Sequence, residues 1–319
     1  MSVYAGIDLG GTTITAALGR ADGEIVARQQ IDTDGHLGPD SVIERMAELI
    51  ERLATQAGER PDGIGIGLPG LVDVHRGVTK FLPNLPTQWR EIALATRLKE
   101  RFEVPVRLLN DARAATLAEL VFGIGRTVDT FAFFTLGTGV GGGVVIDGKL
   151  RLGPLGAAGE LGHQTVQFDG PRCGCGNRGC LETVASGSAI IGEAVRLLKT
   201  GFAPRLHDAI DGDAGQVTPK RVAEAIAAGD EQLAGAIDRV GGYLGIAAAN
   251  IVTSLHPQAI VYGGGVAAMG DLLFEPVRRE IRDRVGMFPT GDILVVRSEL
   301  EEDAGLLGAI ALAAGHAVE

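Results

Sequence analysis

All three cysteines of this 319-residue chain fall within eight residues, Cys173-Gly174-Cys175-Gly176-Asn177-Arg178-Gly179-Cys180. His163 stands ten positions upstream. Three thiolates and an imidazole are soft ligands of the kind that hold tetrahedral zinc. Four protein ligands leave no open coordination position, so the spacing predicts a structural Zn2+ rather than a catalytic one. A redox pair is the rival reading, but the helix-start Cys-x-x-Cys of that chemistry is absent. An odd, clustered set also favours metal over disulfides. Glu160 precedes the knuckle and Glu182 follows it. The ion would therefore fix a loop that carries both carboxylates.

Two glycine turns suggest anion binding. Asp8-Leu9-Gly10-Gly11-Thr12-Thr13 and Leu136-Gly137-Thr138-Gly139 each follow an apolar run. Glycine accepts positive φ and lets backbone N–H groups approach a phosphate, while Thr12, Thr13 and Thr138 add hydroxyl donors. Asp8 is placed to hold Mg2+, usually through water. Either turn alone reads better as an ordinary hairpin, and it is the matched pair, each after an apolar strand, that favours two-sided phosphate binding. Neither is a P-loop, since no Lys-Ser/Thr follows the glycines. Gly263-Gly264-Gly265 forms a third turn, where the face of a nucleoside can lie on bare backbone at Gly264 and Gly265. A plain strand-to-helix connection is the alternative.

Asn110-Asp111 sits between an apolar strand and a helix pattern. Strand ends of this kind are where open α/β sheets place their chemistry. Asp111 suits a base that takes a hydroxyl proton during phosphoryl transfer, and Asn110 suits sugar hydroxyls. Both residues are also favoured helix caps, and on local grounds that reading is the stronger. Glu160, His163 and Glu182 together could make directed hydrogen bonds to vicinal hydroxyls.

The elements that must position these groups alternate between strand and helix. The first segment reads strand, glycine turn, strand, Asp22-Gly23 turn, strand, and the segment from Thr130 to Gly148 repeats the order. The repetition points to a duplicated domain whose halves each open on a phosphate-gripping hairpin. Helices are predicted over 41–57, 90–102, 112–122, 187–199, 222–228 and 231–255. Strands are predicted over 63–68, 104–109 and 259–262, and 204–218 reads as a loop. The organisation expected is a smaller N-terminal α/β domain at 1–117, completed by a C-terminal helix at 303–319. A larger α/β domain carrying the zinc loop takes 118–302.

Bulk composition narrows the partners. A formal net charge of −11 argues against nucleic acid, whose phosphates need clustered Lys and Arg. No apolar run approaches the roughly 20 residues of a membrane span, and the start shows no basic segment with an apolar signal core. A cytoplasmic protein without a membrane partner is the expectation.

Taken together, these residues resemble the ROK family of bacterial sugar kinases, repressors and open reading frames. The resemblance runs from Asp8-Leu9-Gly10-Gly11-Thr12 to Gly305-Leu306-Leu307-Gly308-Ala309. Its most specific part is Glu160-Leu161-Gly162-His163 followed by the knuckle and Leu181-Glu182. It implies a duplicated actin-like fold of ribonuclease H type, with ATP and sugar in an interdomain cleft. It implies Asp111 as general base, with Gly70, Asn84, Asn110, Glu160, His163 and Glu182 around the sugar. His163 would serve zinc and sugar through different ring nitrogens, and the protein would be a homodimer or homotetramer.

The implied reaction is ATP-dependent phosphorylation of a hexose at its 6-hydroxyl, with glucose the first choice because the pattern from Asn84 to Glu182 resembles the glucokinase branch. N-acetylglucosamine, N-acetylmannosamine, mannose, fructose or a cyclitol are the alternative acceptors, and polyphosphate an alternative donor. A sugar-responsive repressor or silent sensor is the rival of another class. Repressors of the family carry a helix-turn-helix segment ahead of the first phosphate strand, which here begins within five residues. Two positions depart from the family pattern. Thr13 stands where Lys or Asn is frequent, and Arg113 where Asn is frequent. Arg113 is expected to face away from the site on its helix.

Overall fold

The computed structural model describes residues 2–316. Along the chain the first elements are β1 (Tyr4–Leu9), β2 (Thr13–Gly19), β3 (Ile25–Asp32), α1 (Pro39–Ala57), β4 (Ile64–Leu68), β5 (Leu71–Asp73) and β6 (Val78–Phe81). Next come α2 (Leu94–Phe102), β7 (Val106–Asn110), α3 (Asp111–Val121), β8 (Phe131–Leu136), β9 (Val140–Ile146) and β10 (Lys149–Leu150). After the cysteine knuckle follow α4 (Leu181–Ala185), α5 (Gly187–Lys199), α6 (Pro204–Ala209), α7 (Pro219–Ala227) and α8 (Glu231–Leu255). The chain ends on β11 (Ala259–Gly263), α9 (Asp271–Arg284), β12 (Leu294–Arg297) and α10 (Ala304–Ala313).

The duplication predicted from the paired hairpins is present in the sheets. One has the order β3-β2-β1-β4-β7 and the other β10-β9-β8-β11-β12. In the first, β1 and β2 are antiparallel while β4 and β7 run parallel to β1. In the second, β11 lies parallel to both β8 and β12. A meander followed by parallel strands, made twice, is the ribonuclease H-like, actin-type pattern.

The chain packs as two units. One comprises 1–129, 143–159 and 302–319, the other 130–142 and 160–301. Residues 118–129 and 143–159 thus group with the first unit, whereas the expected second domain spans 118–302. Their packing explains it, since β10 rests on α3. In the first unit α1 buries Val42, Ile43, Met46, Leu49, Ile50 and Leu53 on one face, the helical stripe read from the sequence. Helix α10 packs on α3, β1 and β4, with Leu306 and Ile310 against Ala17. The expected C-terminal helix ends earlier than position 319, and 317–319 lie outside the described residues, as does Met1.

In the second unit an aromatic stack lies within the largely aliphatic core. Phe134 stacks on Tyr262 at 5.2 Å between ring centroids, and Tyr262 on Phe274 at 5.4 Å. The Tyr262 hydroxyl is buried with no hydrogen-bond partner among the described residues.

Two element predictions are corrected. The helix expected from Arg90 starts at Leu94, because the preceding stretch is drawn into β-type contact: Ile92 bridges Thr79, and Thr79 Oγ1 donates to the Trp89 carbonyl at 2.7 Å. The loop expected over 204–218 contains α6. Its N-terminus is capped from a distance by buried Asp230, whose carboxylate accepts Arg205 N–H at 3.0 Å and Leu206 N–H at 2.8 Å. Among the described residues no helix is long and apolar enough to cross a membrane.

Candidate functional site

In the first unit the candidate residues gather at the ends of β1, β4 and β7. Asp8 is the fifth residue of β1, and Gly10, Gly11 and Thr12 form the turn into β2, which Thr13 opens. The turn is held tightly: Gly10 N–H donates to the Thr13 carbonyl at 2.8 Å, and Thr33 Oγ1 donates to the Gly10 carbonyl at 2.8 Å. Asn84 lies on the stretch after β6. A Cβ built on Gly11 would come within 2.9 Å of the Asn84 carbonyl oxygen, so the phosphate turn and the Asn84 stretch are in close contact. Burial pushes the Asp8 carboxyl above the ordinary carboxyl range, and the charge of Arg28 opposes this more weakly. A half-buried carboxylate beside a glycine turn is a natural seat for a hydrated cation.

Gly70 follows β4 with φ of 97°, where a side chain would be strained and a Cβ would lie 2.3 Å from the Phe81 carbonyl oxygen. Only glycine suits that turn. Asn110 ends β7 and Asp111 begins α3. The Asn110 side chain is engaged on both atoms. Its Oδ1 accepts from Ala112 N–H, Arg113 N–H and Arg113 Nη1, while Nδ2 donates to the carbonyls of Gly70 at 3.1 Å and Leu68 at 3.4 Å. Asn110 therefore caps α3 and ties β7 to the Gly70 turn, and a sugar hydroxyl would have to displace one of these partners. Asp111 is half-buried, with Oδ1 accepting Ala112 N–H at 2.7 Å.

Arg113, expected from the sequence to face away from the site on its helix, is buried. It is 1% exposed. Its Nε donates to the Ala158 carbonyl at 2.9 Å and its Nη2 to the Ala157 carbonyl at 3.0 Å. Sequence reasoning marked the position as unusual but had no means of finding those acceptors, which lie 44 and 45 residues away.

In the second unit Thr138 and Gly139 form the turn from β8 to β9. The Thr138 carbonyl accepts from Ser188 Oγ at 2.9 Å, and Gly187 N–H donates to the Gly137 carbonyl at 2.8 Å. Glu182, in the first turn of α4, accepts Val140 N–H through Oε2 at 3.0 Å. This ties a predicted sugar ligand to the predicted phosphate turn, a link that sequence separation concealed. Gly264 follows β11 at φ 83°, and Gly265 opens the next 3₁₀ turn.

The metal ligands converge. One donor atom from each of His163, Cys173, Cys175 and Cys180 lies within 4.8 Å of the others. Cys175 and Cys180 sulfurs are 3.7 Å apart, and Cys173 Sγ lies 3.6 Å from His163 Nδ1. Zn–S bonds of about 2.3 Å at a tetrahedral angle put sulfurs about 3.8 Å apart, so the four groups fit that ion. Burial pushes the Cys180 thiol up to about 12, with the adjacent thiols adding to it, and also raises Cys173. The backbone N–H of Asn177 lowers Cys175. His163 turns its other nitrogen, Nε2, toward Glu160 Oε2 at 3.7 Å. One ring nitrogen thus faces the thiols and the other faces the Glu160 carboxylate.

A profile of the ROK family matches residues 4–316. The chain belongs to the ROK family. It is 39% identical over 311 residues to a glucokinase of Thermotoga maritima, covering 96% of each chain. It is 32% identical to a xylose repressor of Caldicellulosiruptor bescii, covering 96% of this chain and 77% of that one. A crystal structure of a ROK family glucokinase from Streptomyces griseus, in complex with glucose and AMPPNP, superposes with a TM-score of 0.84 at 32% identity, covering 98% of this chain and 99% of that one. The fold is the actin-like ATPase fold of that family, in agreement with the duplicated sheets.

Proposed function

We propose that this ROK protein is an ATP-dependent hexose kinase of the glucokinase type, transferring the γ-phosphoryl group of Mg-ATP to the 6-hydroxyl of glucose. The observation that carries the reading is Asp111: a half-buried carboxylate at the first turn of α3, in a chain that matches glucokinases over nearly its whole length. Asp111 accepts the proton of the attacking hydroxyl, so that oxygen can add to phosphorus as the bond to ADP breaks. Glu160, His163, Glu182, Gly70 and Asn84 orient the sugar, with Asn110 supporting Gly70. The turns at Gly10–Thr13 and at Thr138–Gly139 hold phosphates through backbone N–H groups, and Gly264 and Gly265 carry the nucleoside. Asp8 holds Mg2+ through water. A structural Zn2+ on His163, Cys173, Cys175 and Cys180 fixes the stretch bearing Glu160 and Glu182. The working protein is a cytoplasmic homo-oligomer.

The test is ADP release with Mg-ATP across hexoses, amino sugars and cyclitols, for the wild type and Asp111→Asn. Turnover on glucose, lowered by about 10³-fold or more in the variant with ATP affinity retained, is the expected result. Turnover on another sugar alone moves the acceptor, not the chemistry. Sugar binding without turnover favours the sensor reading, which the repressor relatives make the natural second choice.

A further inference from the structure

The guanidinium of Arg113 is buried two residues beyond the proposed base, and no step of the proposed reaction uses it. It is 1% exposed and donates through three different nitrogens. Two of its acceptors are the carbonyls of Ala157 and Ala158, three and two residues ahead of Glu160 in the chain. The third is Asn110 Oδ1 at 3.0 Å, on the residue next to Asp111. Asn110 in turn holds the Gly70 carbonyl through Nδ2 at 3.1 Å. The stretch it grips is glycine-rich, Gly153-Pro154-Leu155-Gly156-Ala157-Ala158-Gly159, with positive φ at Gly153, Gly156 and Gly159. Such a segment has high conformational entropy when free. Two backbone bonds brace it locally, Gly156 N–H to the Gly153 carbonyl and Ala158 N–H to the Leu152 carbonyl, and Arg113 adds the tie to α3.

We propose that Arg113 is a positioning residue for the acceptor sugar: its fork locks the 153–159 stretch and the Asn110–Gly70 strut into one arrangement beside Asp111. This rests on the kinase reading for the identity of the acceptor. The planar fork is the essential property. An Arg presents donors on three nitrogens in fixed directions, while a Lys ammonium is a single point and cannot reach three acceptors arranged around a plane. Arg113 touches neither reacting atom in this role. Its loss should therefore loosen sugar placement and leave nucleotide affinity alone.

The experiment compares Arg113→Lys and Arg113→Gln with the wild type, reading KM for glucose and for ATP separately. Hydrogen exchange of peptides covering 153–160 is followed in the same proteins. Both variants should raise the glucose KM by about tenfold or more, the scale expected when a positioning contact slips by about an ångström. The ATP KM should stay within about twofold, and exchange over 153–160 should quicken. Rescue by Lys alone would show that charge suffices and would overturn the fork. Equal rises in both KM values, or unchanged KM values, would overturn the positioning role. If the wild type phosphorylates no hexose, the kinase reading fails by itself. Exchange then still decides, because wild-type protection of 153–160 in Arg113→Gln would refute the lock.

Discussion

Gly139→Ala tests whether the contact between the second glycine turn and Glu182 matters. A Cβ at position 139 would lie 2.2 Å from Glu182 Oε2 and 3.2 Å from its carboxyl carbon. Non-bonded carbon and oxygen settle at roughly 3.2–3.5 Å, so the carboxylate must retreat by about 1 Å. That same oxygen accepts Val140 N–H at 3.0 Å. A retreat of this size takes the contact to about 4 Å, where no hydrogen bond survives. The lost bond is charge-assisted but half-exposed, so its contribution is discounted to about 1 kcal/mol. The methyl meets the far end of a flexible side chain rather than backbone, so the fold tolerates it. A drop in melting temperature of about 2–4 °C is expected. The glucose KM should suffer more, by roughly ten- to a hundredfold, because a directed ligand has been displaced. Steady-state kinetics with both substrates and a thermal melt are sufficient. A glucose KM within about twofold of wild type would refute the displacement argument. So would a rise in the ATP KM alone, which would place the effect on the phosphate turn.

Two further outcomes follow from charge and metal. Burial raises the Asp8 carboxyl, so the folded chain binds that proton more tightly than the unfolded one. Stability is then lost as pH climbs from the ordinary carboxyl range through the raised folded value, and at pH 7 the ionised group destabilises the ligand-free protein. Asp8→Asn should raise the urea midpoint at pH 7 while abolishing magnesium-dependent turnover; a lower midpoint would contradict the burial argument. Stripping metal with a strong chelator under reducing conditions should release one zinc per chain, measured with a chromogenic dye, and weaken sugar binding while most helix signal persists. Absence of zinc by elemental analysis, or unchanged sugar affinity after its removal, would count against that role.

Much of the fold follows from local chemistry that needs no tertiary knowledge. The paired strand–glycine–strand–Asp-Gly segments imply two matching meanders because glycine and Asp-Gly turns dictate hairpins wherever they fall. The long run of α8 emerges at its observed limits and the apolar stripe of α1 within two residues of its start, because helical periodicity is a short-range signal. The cysteine knuckle is equally legible, since three thiols and a histidine within eighteen residues converge by chain length alone.

Contacts between distant residues were decided only in three dimensions. Helix α6 exists where composition indicated a loop, because Asp230 supplies its cap from 24 residues away. The stretch before α2 is irregular because Thr79 binds Trp89 and Ile92 from the neighbouring strand. In one dimension Arg113 is only an unusual residue on a helix, yet it is buried because the carbonyls of Ala157 and Ala158 and the amide of Asn110 satisfy its fork. Sequence thus determined what can be read from turn chemistry, periodicity and ligand type. Tertiary structure determined which polar groups are buried together, because a buried donor is placed by whichever acceptor reaches it, however far along the chain that acceptor lies.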